Sequence, residues 1–408
     1  MKIALFNVKY SQNLGDGLLT ECLERELAGT AQLDVTSCDL AGRVGYDSGL
    51  RNRKAVLTVL SLCPAPVRRA LVRAALTPTL ERTLRPRWRR ELASADAVVI
   101  GGGHLLSDQD LNFPLKLRAA LSEVKAAGLP TAVFGVGVSD DWSAPGKALF
   151  NQAFRGVDLV HVAVRDERSR QAWGRQMAPA TETPAELCFD PGVLAARHYP
   201  VAPRRDRGTL VALGLMDPLA LRYHSASTRL TEAGYRDWLA QLVRELAGRG
   251  WKVALFTNGS QEDRQFLAKA APQLTAAAPG QVSVAPDFAK PADLAEFISA
   301  ADLLLAHRLH ANIAAFAFAR PHIGFAWDPK VEAFFGATGR QQYVVPAVLT
   351  SPADTAGLAA AALGEGIDAA VHQRIVARAR GDVAQLRAAL CDAVMGAAAG
   401  RTDRAAGE

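Results

Sequence analysis

Short apolar segments alternate with longer helical patterns along most of the chain. Eight segments rich in Val, Ile, Leu and Phe have the length of buried strands: residues 2–8, 96–100, 131–136, 159–164, 210–215, 252–257, 302–306 and 321–327. The stretches between them carry apolar residues at helical spacing. Strands that alternate with helices are typical of parallel sheets built from strand–helix–strand units. The pattern therefore predicts an α/β protein.

The alternation breaks once, near the middle of the chain, at the proline-rich and arginine-rich stretch "YPVAPRRDRGTL". We predict a linker there, at residues 199–209, between two doubly wound Rossmann-like domains, 1–198 and 210–398. This arrangement resembles the two-domain GT-B glycosyltransferase architecture, in which the domains face a cleft. Open parallel sheets bind ligands beyond the C-terminal ends of their strands, which would line that cleft. The resemblance implies that the first domain holds the acceptor and the second the donor. The alanine-rich 354–398 predicts two terminal helices that pack back, followed by a disordered tail at 399–408.

The composition changes this picture little. With 49% hydrophobic and 22% charged residues among 408, the chain has the composition of an ordinary globular protein. Its net charge of +6 suits phosphates, carboxylates or an anionic membrane surface. Five scattered cysteines with no CxxC pair favour reduced thiols in the cytoplasm and argue against a zinc site. We expect no cofactor and no metal, and no signal peptide or membrane-spanning helix.

Residues 66–90 are the most basic part of the chain, with eight arginines and one glutamate. Val67, Leu71 and Ala74 lie on one helical face, as in a helix that rests on a membrane surface. An arginine-coated surface helix explains the same pattern, and both interpretations stay open. Nucleic acid is not expected, because no recognised nucleic-acid-binding motif accompanies the arginines.

The segment "AHRLHANIAAFAFARPHIGFAWDPK" carries the clearest candidate site. Arg308 and His310 lie where a buried strand gives way to a helix. A helix N-terminus offers unpaired N–H groups and partial positive charge, and a neighbouring arginine adds to an anion site. Lys330 follows the next strand and adds a third cation, although His310 also suits simple loop capping. His307 and His322 are expected to pack or to face solvent.

The first half of the chain offers further candidates at strand ends. The glycines Gly101, Gly102 and Gly103 allow a ligand to approach the backbone, or merely form a tight turn. "DQD" matches the DxD pattern of metal-dependent sugar transferases, but capping of a helix by Asp108 explains it more simply. Asp16, in "NLGDG", either orients a hydroxyl or caps a helix. Arg165 ends another strand, where pairing with Asp166 or Glu167 is the alternative role.

Taken in order, these segments resemble the polysaccharide pyruvyltransferase family. The resemblance runs from "NLGDGLL" through "IGGGHLLSD", "VFGVGVS", "VRDERS" and "CFDPG" to "HRLHANIAAFAFARPHIGFAWDPKVEAFF", across about residues 1–340. It implies transfer of pyruvate from phosphoenolpyruvate onto two hydroxyls of a sugar as a ketal, in a cell-surface or exopolysaccharide precursor. Two positions depart from the family: His307 replaces a small hydroxyl residue, and only Arg222 follows the first strand of the second domain, where an earlier arginine is expected.

The resemblance also implies roles for individual residues. His310 would protonate the methylene carbon of the donor, and Asp16 or Asp108 would accept a proton or align the sugar. The implied donor contacts are Arg308, Arg165, Lys330, Gly101, Gly102 and Gly103, and the implied acceptor contacts are Asn13, Asp16 and His104. A helix N-terminus disfavours a protonated imidazole, so we expect the anionic groups of the bound donor to offset that effect.

Two other functions are consistent with the residues. A glycosyltransferase that uses a nucleotide-sugar would need a carboxylate for the ribose, and Asp328 is the one candidate in its region. A non-catalytic protein that binds phosphoenolpyruvate or another anion is suggested by His307. The sequence leaves open whether the acceptor is a lipid-linked oligosaccharide, for which residues 66–90 would provide peripheral contact with the inner face of the membrane.

Overall fold

The fold is described from a computed structural model that covers residues 1–29, 33–46, 63–203, 208–218, 231–346 and 350–405, with side chains up to 397. Arg222 lies outside the described residues. By their internal contacts, the residues form two compact units. Unit 1 comprises Met1–Tyr10, Leu19–Pro191 and Arg378–Glu408, and unit 2 comprises Ser11–Leu18 and Gly192–Ala377.

Unit 1 contains a sheet of six strands, all parallel, in the order β2-β1-β3-β4-β5-β6. The strands are β1 (Lys2–Asn7), β2 (Asp34–Asp39), β3 (Ala97–Gly101), β4 (Thr131–Val136), β5 (Leu159–Val164) and β6 (Glu186–Leu187). Its helices are α1 (Leu14–Ala28), whose first turn belongs to unit 2, α2 (Ala65–Thr79), α3 (Arg85–Leu92), α4 (Asn112–Ala127), α5 (Ala144–Phe154) and α6 (Glu167–Met177). A π-helical segment, Leu80–Leu84, joins α2 to α3.

Unit 2 contains a second six-stranded parallel sheet, in the order β12-β11-β10-β7-β8-β9. The strands are β7 (Leu210–Gly214), β8 (Lys252–Phe256), β9 (Val282–Val284), β10 (Leu303–Ala306), β11 (His322–Ala326) and β12 (Val344–Pro346). The helices are α7 (Ala195–His198), α8 (Glu232–Ala247), α9 (Gln261–Ala277), α10 (Pro291–Ala300), α11 (Leu309–Ala317), α12 (Pro329–Ala337), α13 (Pro352–Glu365) and α14 (Ala369–Ala405). The predicted α/β fold with two doubly wound sheets is confirmed.

Each sheet is held by apolar side chains from strands and helices together. In β3 and β4 every residue is buried, as expected for central strands covered on both faces. The largest fully buried side chains of unit 1 include Trp88 of α3 and Trp173 of α6, which contact Phe6 and Phe154 edge to face at 5.7 Å. This packing holds α3 against β1 and α6 against α5.

The chain divides differently from the sequence-based prediction. The contact-defined units separate at Pro191 and Gly192, before the predicted linker at 199–209. Two terminal helices are present, but α14 continues to Ala405, through most of the segment predicted to be a disordered tail. From Arg378 onward α14 belongs to unit 1, because Asp382 accepts a hydrogen bond from Phe189 N at 3.0 Å and Arg380 pairs with Glu26 at 3.3 Å.

Among the described residues, no helix is both long and apolar enough to cross a membrane. The same residues contain no group of three or more His, Cys, Asp or Glu side chains positioned to bind a metal ion.

Candidate active site

Several of the candidate residues follow the strands at which each sheet reverses its direction of winding. In unit 1 the reversal lies between β1 and β3, and in unit 2 it lies between β7 and β10. Loops diverge at such a point and leave room for a ligand at the C-terminal ends of the strands. Arg308 and His310 come directly after β10, and Gly102 and His104 directly after β3.

In unit 2, His310 lies against the Gly15–Asp16 turn. Its ring Nδ1 is 3.4 Å from Oδ1 of Asp16, and the ring is buried. A Cβ added to Gly15 would lie 2.9 Å from both Cγ and Nδ1 of His310, and closer still to its Cβ. Only glycine therefore lets the chain pass this close to the imidazole. The carboxylate can orient the ring and support positive charge on it.

The turn that carries Asp16 is held by backbone contacts within unit 2. Leu14 N donates to Asn258 O at 2.8 Å, and Asp16 N donates to Asn13 O at 3.0 Å. Gly259 has a φ of +99°, and a Cβ there would lie 2.7 Å from Gln12 O. Two glycines thus allow the close packing that positions Asp16 beside His310.

Arg308 is fixed by a carboxylate that the sequence analysis did not identify. Its Nε and Nη2 both donate to Oδ2 of Asp263, at 2.9 and 2.7 Å, and Nη2 lies 3.4 Å from Ser260 Oγ. Asp263 is fully buried, and its other oxygen accepts a hydrogen bond from Asp217 N at 2.9 Å. The guanidinium is consequently held in one orientation at the N-terminus of α11, with part of its charge balanced.

Lys330 also has a partner. Its Nζ lies 2.8 Å from Oδ2 of Asp328 and 4.7 Å from the centre of the Trp327 ring. Asp328 in turn caps α12 by accepting a hydrogen bond from Lys330 N at 3.0 Å. Trp327 Nε1 donates to His307 O at 2.6 Å, which ties the strand end of β11 to that of β10. A ligand anion would have to compete with Asp328 for the lysine.

The other two histidines of this region pack in the core. Burial lowers the pKa of both His307 and His322 to about 3, and the nearby guanidinium groups of Arg308 and Arg340, respectively, act in the same direction. His307 contacts Tyr235 and Phe325, and His322 Nδ1 donates to Arg320 O at 2.9 Å. Both rings are therefore neutral near pH 7, as structural residues.

In unit 1 the glycine triplet is largely explained by packing. Gly102 has a φ of +77°, and a Cβ there would collide with Leu19. Its N–H donates to Phe134 O at 3.0 Å, so this donor is already used. Gly101 is part of β3, where a Cβ would lie 2.9 Å from Leu5 and Leu23 side chains. Of the three, Gly103 has the most space, with Val8 at 3.9 Å.

Arg165 and His104 come together in unit 1. Arg165 Nη2 is 3.5 Å from His104 Nδ1, and a Cβ on Gly137 would lie 2.7 Å from Nη2. Asp166 and Asp190 each lie 3.7 Å from the guanidinium, at Nε and Nη1, beyond ordinary hydrogen-bond length. Arg165 is thus a buried cation, and its ion pairs with these two carboxylates are long.

Asp108 has the geometry of a capping residue. Its carboxylate accepts hydrogen bonds from Leu111 N at 2.9 Å and Ser143 N at 2.8 Å, and the position of Gly146 leaves no room for a side chain beside it. Asp110 pairs with Arg68 at 3.0 Å. These contacts favour the capping interpretation of the DxD motif and leave Asp16 as the better candidate for a carboxylate with a chemical role.

Sequence reasoning missed Asp263, and it did not show the close contacts that require glycine at Gly15 and Gly137. Asp263 stands three residues after Ser260 at the start of α9, and its N–H donates to Ser260 Oγ at 3.3 Å. In sequence this spacing is typical of a helix cap at the surface, which hides the buried role of Asp263. The two glycines are recognisable as structurally required only when the side chains opposite them are known.

The sequence profile of the family described as polysaccharide pyruvyl transferase matches residues 13–329. The chain belongs to this family. The matched range includes Asn13, Asp16, Arg308 and His310, and it ends one residue before Lys330. No curated protein sequence matches the chain closely enough to count as a relative.

Solved structures resemble the fold at low sequence identity. The UDP-GlcNAc 2-epimerase of Methanocaldococcus jannaschii has a TM-score of 0.50 at 10% identity, over 89% of this chain and 92% of that one. The UDP-GlcNAc 2-epimerase of Neisseria meningitidis, bound to UDP-GlcNAc, has 0.49 at 11%, over 95% and 98%. The E. coli ADP-heptose lipopolysaccharide heptosyltransferase II has 0.42 at 15%, over 90% and 99%. The first of these supports the fold, and none of them bears on activity.

Proposed function

We propose that this transferase moves pyruvate from phosphoenolpyruvate onto two hydroxyls of a sugar as a ketal. The observation that carries the proposal is the contact between Asp16 and His310, which the absence of a side chain at Gly15 permits. All three residues lie within the range that matches the family. Transfer from an enol phosphate needs an acid for carbon and a fixed environment for the developing positive charge. The imidazole of His310 can supply the acid, and the carboxylate of Asp16 that orients it can stabilise the positive charge.

In the proposed reaction, His310 gives a proton to the methylene carbon of the donor, which becomes a methyl group. The oxygen of one sugar hydroxyl bonds to the adjacent carbon and loses its proton to a base, for which Asp16 is our candidate. The second hydroxyl oxygen then bonds to the same carbon as the bond to the phosphate oxygen breaks, and phosphate leaves with the second proton. The products are a cyclic ketal and inorganic phosphate, and no oxidant or reductant is consumed.

Asp16 also offers a solution to an electrostatic conflict. The N-terminus of α11 carries partial positive charge, as does an imidazole that acts as the acid. The Asp16 carboxylate, 3.4 Å from the ring, places a negative charge beside both within unit 2. Donor anions are then an additional contribution rather than the sole compensation.

Arg308 is the proposed main contact for the donor's negative groups. Its contacts to Asp263 and Ser260 use Nε and Nη2, so we assign the donor to Nη1. An N–H group of a guanidinium held in one orientation suits a carboxylate or phosphate oxygen. Arg165 stays a proposed donor contact, and Asn13 and His104 stay proposed acceptor contacts. Lys330 and the glycine triplet are weaker candidates because of the contacts described above.

The acceptor we propose is a sugar of a cell-surface or exopolysaccharide precursor, such as a lipid-linked oligosaccharide. All five cysteines are free thiols, and Cys22, Cys38 and Cys188 are buried. This supports our proposal that the enzyme works in the reducing cytoplasm.

A binding experiment separates this function from its rivals. The full chain is titrated with phosphoenolpyruvate and with UDP, GDP and ADP, and its melting temperature is recorded. We expect a shift with phosphoenolpyruvate that is lost in Arg308→Ala, and none with the nucleotides. A shift with a nucleotide alone would contradict the proposal. Release of phosphate in the presence of oligosaccharide precursor fractions then distinguishes an enzyme from a binding protein.

A further inference from the structure

Helix α2 presents an apolar surface to solvent. None of its fifteen residues is buried, and Val67 and Leu71 are 46% and 47% exposed. Ala74 and Pro78 continue the same side of the helix and are also exposed. A helix on the surface of a globular protein normally turns its apolar side toward the core. Here Val67 and Leu71 point away from it.

The orientation of α2 is fixed at both ends. Arg68 Nε pairs with Asp110 Oδ2 at 3.0 Å, and Nη1 of the same arginine lies 3.2 Å from Cys63 O. Leu76 packs against the core of unit 1, and the π-helical turn that follows buries Leu80 and Leu84. The outward position of Val67 and Leu71 therefore belongs to the folded unit.

The charge around this surface is positive. Residues 65–79 contain Arg68, Arg69 and Arg73 and no acidic residue. Arg73 is exposed, about 100° around the helix from Ala74. An apolar ridge on a helix that carries arginines and no carboxylate suits an anionic bilayer, because the apolar side chains can enter the interface while long arginine side chains reach toward lipid phosphates. Two copies of the same cationic surface would repel each other, which disfavours self-association.

The arginines of α3 have a different role. Glu123 accepts hydrogen bonds from Arg85 at 2.7 Å and from Arg89 at 2.9 Å, and Arg87 pairs with Glu91 at 2.8 Å. Arg85 and Arg89 hold α3 against α4 through Glu123, whereas the Arg87–Glu91 pair lies within α3 itself. The basic run at 66–90 thus consists of a structural part and an outward-facing part.

We infer that α2 is a docking surface for anionic membrane lipid, with Val67, Leu71, Ala74 and Pro78 at the interface and Arg73 beside the headgroups. This goes beyond the proposed reaction and does not depend on it. In this proposal, the outward side of α2 determines membrane binding, and the number of arginines in 66–90 as a whole does not.

Sedimentation with vesicles tests this without measuring turnover. The full chain is mixed with vesicles of phosphatidylcholine alone or with added phosphatidylglycerol, and bound protein is quantified. We expect binding only to the anionic vesicles, weakened by salt. The variant Val67→Ser/Leu71→Ser should reduce the partition coefficient at least about tenfold, and Arg73→Ser about fivefold.

The matched controls are Val284→Ser on β9, where the valine is 47% exposed, and Arg374→Ser, where the arginine is exposed on α14. Both should bind as the unchanged protein does. Unchanged binding by Val67→Ser/Leu71→Ser, or equal binding to neutral vesicles, overturns the inference. Since these side chains are exposed, the variants should melt within about 2 °C of the parent, consistent with small surface effects.

Discussion

Replacing Gly15 by alanine tests how closely the chain must approach His310. The added Cβ would lie 2.9 Å from Cγ and Nδ1 of the imidazole. Its distance to Cβ of His310 would be shorter still, and ordinary carbon contacts are about 3.5 Å, so the ring or the turn must move by about 1 Å. A misplacement of about 1 Å can cost about 100-fold in rate. We therefore expect kcat to fall about 10-fold to 100-fold.

Two effects oppose each other in the stability of this variant. Alanine is favoured over glycine within a helix by about 0.5 to 1 kcal/mol. Overpacking a close contact costs about 1 to 3 kcal/mol, and this should win, with net destabilisation of about 1 kcal/mol. Gly357→Ala is the matched control, because it lies within α13 with nothing within 4 Å of the added Cβ. It should stabilise the protein and leave kcat unchanged.

The assay combines thermal unfolding, phosphoenolpyruvate titration and phosphate release with a precursor fraction. Because the turn contacts His310 and not Arg308, we expect donor affinity to change less than kcat. Unaltered kcat in Gly15→Ala, with a melting temperature like that of Gly357→Ala, would refute the role given to this contact.

Four further substitutions test the assignment of the site and of the buried histidines. His310→Gln should lower kcat by about 10² to 10⁴ and leave the melting shift with phosphoenolpyruvate intact, since the acid and not the donor contact is removed; full activity would exclude His310 as the acid. Asp16→Asn should lower kcat with little loss of stability. Asp108→Ala should lower the free energy of unfolding by about 2 kcal/mol, because two backbone N–H groups lose their acceptor. If kinetic and denaturation measurements show the reverse, Asp108 has the chemical role and Asp16 the capping role. His307 and His322 have folded pKa values of about 3 against 6.5 when unfolded, so the unfolded chain binds more protons between these values. Stability should therefore fall as pH falls below 6.5, by about 1.4 kcal/mol per pH unit for each ring at full effect, and urea titrations of His322→Asn should show a shallower fall.

The sequence predicts the interior of both sheets and misses their borders. All eight predicted strands are present, and the four missed ones, β2, β6, β9 and β12, are the outermost strands of the two sheets. A central parallel strand is covered on both faces and is recognised as a continuous apolar run. The border strands are partly exposed, as in the "EL" of β6 with both residues exposed, so their composition does not distinguish them from loops.

The candidate site could be predicted where it depends on local chain order. The position of Arg308 and His310 between β10 and α11 follows from a buried run, a break and a helical pattern. Their partners Asp263 and Asp16 could not be identified, since they come from distant parts of the chain and their contacts depend on how the strands assemble. Asp16 was a candidate for its own position in "NLGDG", but its pairing with His310 required the fold.

The course of α14 also affects the order in which the protein can form. Asp382 accepts a hydrogen bond from Phe189, whose neighbour Asp190 faces Arg165. On the ribosome, Phe189 emerges long before Asp382, so unit 1 must wait for nearly two hundred further residues before this hydrogen bond can form. Nascent chains that stop before α14 should therefore expose the surface around Phe189 and Glu26 to chaperones.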